Sequence, residues 1–137
     1  MTKGAVNINM NSSEISAFLI IKSKNTPMGI ARNKNVDSIY DAGDNVVLCR
    51  ADNPIAAGMA LNDIVTICMA AKRLGLNYIA VNDDGQAHAF IDMPEKKDGK
   101  WTALSEVNIP LESKSFKELR KPVSVKSLLI GFTSDTT

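Results

Sequence analysis

The chain reads as an α+β fold: a mixed, mostly antiparallel sheet of five to seven strands backed by one long helix over about residues 54–74, with a short helix near 114–120. Three observations predict this. Asn53–Gly75 carries the start and stop signals of a single long helix. Short apolar runs bounded by Asn, Asp, Pro and Gly lie on both sides of it. Asp84-Gly85 joins two such runs and is a hairpin signal. A strand, the helix and a strand over residues 46–82 add the expectation of one right-handed crossover, hence a mixed sheet.

The elements follow in order. Residues 1–13 read as a loose arm in which Val6, Ile8 and Met10 alternate as an edge strand would. In 15–22, Ile15, Ala17, Leu19 and Ile21 alternate with Phe18 and Ile20, so both faces are apolar and an inner strand is expected. Asn25-Thr26-Pro27 and Asn33-Lys34-Asn35 are turns around an extended piece at 28–32. Residues 36–40 suit one helical turn, 41–45 a loop and 46–50 a strand.

Asn53 then caps the helix, Pro54 suits a first turn that needs no N–H, and Gly75 suits a left-handed exit. Lys72 and Arg73 sit where the helix dipole favours cations. At 100° per residue the inner arc is Ala57, Ala60, Leu61, Ile64, Ile67, Cys68, Ala71 and Leu74. The outer arc carries Asn62, Asp63, Thr66 and Arg73, and also Ile55, Met59 and Met69. That is more apolar than a solvated face requires.

Residues 76–82 form the next strand. A two-residue type I′ turn at Asp84-Gly85 predicts that Val81 faces His88 and Ile79 faces Phe90. Pro94 ends the second arm, Gly99 marks a charged turn and 101–104 return as a third arm. Residues 107–111 are a short extended piece broken by Pro110. Ser113 or Ser115 is expected to cap a short helix over 116–120, and 123–132 reads as a final strand, with a helix as the alternative. The tail 133–137 reads as disordered.

The 137 residues suit a single domain with a full hydrophobic core. A net charge of +1 provides no global pull toward nucleic acid or an acidic membrane. Cys49 and Cys68 form no CxxC and read as buried thiols of a reducing compartment. No apolar leader follows Met1, and Asn62 and Asp63 interrupt the long helix at its centre. The expectation is a cytoplasmic protein without a membrane partner.

Few chemistries find their residues here. His88 is the one histidine, no pair has metal-ligand spacing, and no cofactor is expected. Neither a GxSxG elbow nor a glycine-rich phosphate loop occurs. Asn82-Asp83-Asp84-Gly85 lacks the alternating carboxylates and closing Glu of a calcium loop. The carboxylate pairs Asp41/Asp44, Asp83/Asp84 and Asp92/Glu95 all lie in turns. Asp63 differs, standing in a largely apolar helix as an exposed charge or a group facing a partner. Residues Lys114, Lys117, Arg120, Lys121 and Lys126 form the one basic cluster. With Tyr78, His88 and Trp101 they are candidates for holding a nucleotide. Phe116 is the one aromatic within the cluster, which speaks against nucleic acid.

The run Tyr78-Ile79-Ala80-Val81-Asn82-Asp83-Asp84-Gly85-Gln86-Ala87-His88-Ala89-Phe90, followed by Pro94-Glu95 and Gly99-Lys100-Trp101, resembles a segment of small accessory proteins of tailed bacteriophages. The shared pattern is an Ile-Ala-Val strand, an Asp-Gly turn, an aromatic return strand, a Pro-Glu and a Trp after a short charged loop. It covers about a sixth of the chain, and Asn82 and Gln86 stand where that pattern more often has acidic residues. The resemblance implies a phage or prophage protein acting on its host, and it carries over no catalytic residue. The expected function is therefore a non-enzymatic binding protein that engages or inhibits a host protein. Its contact face is Ile55, Met59, Asn62, Asp63, Thr66, Met69 and Arg73, with a homodimer as a variant. The alternatives are a nucleotide-sequestering protein and an enzyme with a site around His88.

Overall fold

A computed structural model describes residues 17–33 and 45–132. The readings made for 1–13, 36–40 and 133–137 lie outside the described residues. Among the described residues, nine strands and two helices follow in order: β1 (Ala17–Lys22), β2 (Gly29–Asn33), β3 (Val46–Ala51), α1 (Pro54–Arg73), β4 (Tyr78–Val81), β5 (Ala87–Phe90), β6 (Glu95–Lys97), β7 (Lys100–Thr102), β8 (Asn108–Leu111), β9 (Val123–Ser124) and α2 (Val125–Leu128). The fold is α+β, with the long helix α1 and the short helix α2 among the described residues.

The strands divide into three antiparallel sheets, ordered β2-β1-β3, β8-β5-β4-β9 and β6-β7. β1 is the inner strand of the first, as its two apolar faces require. The crossover expected between 46–50 and 76–82 does not join two strands of one sheet. β3 and β4 lie in different sheets, so α1 connects sheets and every described pairing is antiparallel.

α1 starts where Asn53 Oδ1 accepts the Ala56 N–H at 2.8 Å and Pro54 takes the first turn. It ends in a Schellman motif. Leu76 N–H donates to the Ala71 carbonyl and Gly75 N–H to the Lys72 carbonyl, with Gly75 at φ 77°. Ala57, Ile64, Cys68 and Ala71 are buried against the first sheet and α2. Leu74, assigned to the inner arc, is instead 68% exposed: it is the C-cap, where the chain leaves the helical path.

The first sheet meets α1 through Phe18, Ile20, Leu48 and Cys49. The register slips between Ile20, which pairs with Cys49, and Ile21, which pairs with Val47. Leu48 is the extra residue of this bulge, which lets adjacent Leu48 and Cys49 both enter the core. Its carbonyl accepts the Glu118 N–H at 2.9 Å, so the bulge also anchors the 114–121 segment.

The β4–β5 hairpin is one residue out of the expected register. Val81 pairs with Ala87, Ala80 with His88, Ile79 with Ala89 and Tyr78 with Phe90. The loop holds three residues, 83–85, not two. A type I′ turn needs positive φ at both Asp84 and Gly85, and only Gly85 has it, at 90°. Gly85 N–H closes on the Asn82 carbonyl, and Asp84 Oδ1 accepts the Gln86 N–H, an Asx turn that holds Asp84 out of the left-handed region. The two-residue turn with both φ positive occurs instead at Asp98 (53°) and Gly99 (79°), between β6 and β7.

Residues 114–118 are turns, not the expected short helix. The Ser113 hydroxyl accepts the Ser115 N–H two residues on, which closes a local turn in place of a helix cap. The short helix is α2, inside the stretch read first as a strand. Ser124 ends β9 and accepts the Ser127 N–H, and this cap bends the chain into a helical turn after two paired residues.

Candidate contact surface

The outer arc of α1 runs the length of the helix without cover from the described residues. Ile55 is 77% exposed, Met59 69% and Met69 38%, with Asn62 and Thr66 exposed between them and Arg73 exposed beyond. Amphipathic spacing produces the arc: the inner residues are anchored on β1 and β3, so positions three and four apart on the far side must face outward. Exposed apolar side chains are ordinary singly; here three share one helix face, with Asn62 and Thr66 between Met59 and Met69.

Asp63 marks one margin of the arc and is not a free surface charge. It is half-buried, and its Oδ2 accepts hydroxyls from Ser113 at 2.6 Å and Ser115 at 2.9 Å. Both serines thus serve this carboxylate rather than a helix start. A shallow groove lies between this contact and the arc, lined by Ala56, Met59, Ala60, Asn62, Asp63 and Ser115. The Thr66 hydroxyl donates to the Asn62 carbonyl within the helix, which leaves the groove floor with few free polar groups.

The ring-bearing candidates lie elsewhere. Tyr78 and His88 share the face of the second sheet that points away from the main core, because Ile79, Ala87 and Ala89 occupy the core side. His88 Nδ1 lies 3.0 Å from Asn108 Oδ1. Trp101 closes the free edge of β4: its indole N–H donates to the Val81 carbonyl at 2.9 Å and its backbone N–H to Asn82 Oδ1 at 2.8 Å. Lys96 lies over the indole and pairs with Asp83. The basic residues Lys114, Lys117, Arg120 and Lys121 belong to the segment that buries Phe116 and Leu119 in the main core. The buried residues of that segment pack on the core side of the second sheet, away from Tyr78 and His88, and Lys114 lines a shallow pocket with Gly85, Gln86 and Leu111. The structure does not assemble the rings and the cations into one site.

Buried nucleophiles offer little chemistry. Burial pushes the Cys49 thiol up to about 11, with Glu118 and Asp63 adding to it, and pushes Cys68 up to about 12. Both stay protonated at neutral pH. Lys22 is 3% exposed and donates to the Ser23 carbonyl at 2.6 Å, and desolvation lowers its pKa. The described residues contain no cluster of three or more His, Cys, Asp or Glu side chains suited to a metal.

The sequence signals missed were the Asp63–serine contact and the indole cap on β4. Both join residues roughly twenty to fifty apart along the chain, and no local pattern encodes them. Comparison with protein-family models, curated proteins and solved structures yields no match.

Proposed function

We propose that this is a non-enzymatic binding protein, phage- or prophage-encoded, that engages a host protein through the outer arc of α1. The observation that carries the reading is the exposure of Ile55, Met59 and Met69 on one helix face bordered by a shallow groove. An amphipathic partner could lay side chains into that groove, and methionine adapts its shape to such partners. The likeness of residues 78–101 to a segment of phage accessory proteins supports the origin. The protonated, buried thiols count against nucleophilic catalysis at Cys49 or Cys68. The separation of the basic segment from Tyr78 and His88 takes support from a nucleotide-sequestering role.

The test is native mass spectrometry of the protein expressed in bacteria, wild type beside Met59→Glu. One host protein should be retained in fixed stoichiometry by wild type and lost by the variant, with the circular dichroism of the two unchanged. A partner held equally by both, or a retained nucleotide in its place, would overturn the reading.

A further inference from the structure

The outer arc is self-complementary, and we propose that in the free protein it is covered by a second copy of this chain, α1 against α1 in antiparallel order. This rests on the contact-face reading above and names what occupies the face before a host partner does. Two features of the helix point to it.

The first is charge. Asp52 is exposed just before the helix start, and Arg73 is exposed in its last turn. Neither has an ion pair among the described residues. A two-fold axis at Ile64 sets Ile55 opposite Arg73 of the second copy, Met59 opposite its Met69, and Asn62 opposite its Thr66. Asp52 stands just before the Asn53 cap, three residues from Ile55, and this pairing brings that arginine's long side chain to the same end of the helix. The pairing occurs twice by symmetry, as an isologous interface requires. A parallel pairing would stack the two Arg73 side chains together instead, so the charges select the antiparallel order. Antiparallel helix dipoles favour the same order.

The second is Gly58. It is exposed on the flank of the arc, and a Cβ there would meet nothing within 4 Å among the described residues. Packing among the described residues therefore gives no reason for a glycine in a helix interior, where it is among the poorest formers. A neighbouring helix approaching closely would supply one.

Size sets the strength. A helix of 20 residues is about 30 Å long. One pair of such helices falls below the roughly 800 Å² per partner of a standard stable interface. The dimer is accordingly weak, dissociating at micromolar concentrations, and a host protein could displace it.

Sedimentation equilibrium from about 1 to 200 µM tests this across the micromolar range expected for a small interface. Wild type should pass from monomer to dimer. Asp52→Lys and Arg73→Glu should each weaken association about five- to tenfold, since two exposed contacts turn repulsive. The double variant carrying both should regain wild-type association. Met59→Glu should remain monomeric. A wild type monomeric throughout, a dimer indifferent to Met59→Glu, or a double variant no better than the singles would each overturn the pairing. Host-protein retention, read separately by mass spectrometry, would survive such a failure if the contact face itself is correct.

Discussion

Asp63 is the residue whose surroundings decide its role. In a helix read alone it is a charge on an outer face. In the folded chain its carboxylate gathers two serine hydroxyls from a segment about fifty residues away and holds 113–115 against α1. Asp63→Ala should lower stability by about 1–2 kcal/mol, the scale of hydrogen bonds to a charged acceptor at a half-buried site. The neighbouring exposed Asn62→Ala should cost a few tenths at most. Urea unfolding of the two variants checks this, and equal midpoints would remove the tether. The cysteines make a second residue-scale prediction. Their folded pKa values, about 11 and about 12, lie above the ordinary 9.0. As pH rises past 9 the unfolded chain releases thiol protons that the native chain keeps. Stability is therefore full below pH 9 and declines toward pH 11–12. Thermal midpoints should fall over that window, and less steeply in Cys68→Ala. At pH 8 a thiol-directed disulfide reagent should leave both thiols intact until denaturant is added.

At the scale of elements, the small hairpin β6–β7 covers an edge. β9 pairs with β4 only at Tyr78 and Ile79. Beyond it, Trp101 takes the Val81 carbonyl and Gly99 accepts the Asp83 N–H at 2.9 Å. An edge that would otherwise offer itself to another strand is closed within the chain. Gly99 permits the approach: its φ is 79°, and an added Cβ would lie 2.8 Å from Asp83 Oδ2. Gly99→Ala should cost about 1–2 kcal/mol, from the positive φ and the displaced contact together. It should also shift Trp101 emission to the red as the indole leaves Val81. Unchanged emission would mean the hairpin holds without that contact. The other edge, β8, uses a different device: Pro110 brings no N–H to it.

For the whole molecule, one core joins the first sheet, α1, the core side of the second sheet and α2. Outside that core lie the outer arc of α1 and the Tyr78–His88 side of the second sheet, where Ala80 and Phe90 are themselves buried. The arc exposes Ile55, Met59 and Met69, and both the host-partner proposal and the self-pairing proposal belong to it. The first is checked by loss of a retained host protein in Met59→Glu, the second by rescue of association when Asp52 and Arg73 are exchanged in charge.

Local physics was legible in the residues themselves. Asn53, Pro54 and Gly75 bound α1 because capping and left-handed exit are decided within four or five residues. The apolar faces of β1 made it an inner strand, and the spacing of Ile55, Met59 and Met69 put them outward once the opposite arc was buried. Tertiary structure alone decided the rest. The division into three sheets, the bulge at Leu48, the one-residue shift of the β4–β5 hairpin and the serine pair on Asp63 depend on partners distant in sequence or on a choice between turns of nearly equal energy. A short-range signal specifies that a hairpin or helix forms. Which sheet it joins, and what its polar side chains meet, follows from how the whole chain satisfies its buried groups at once.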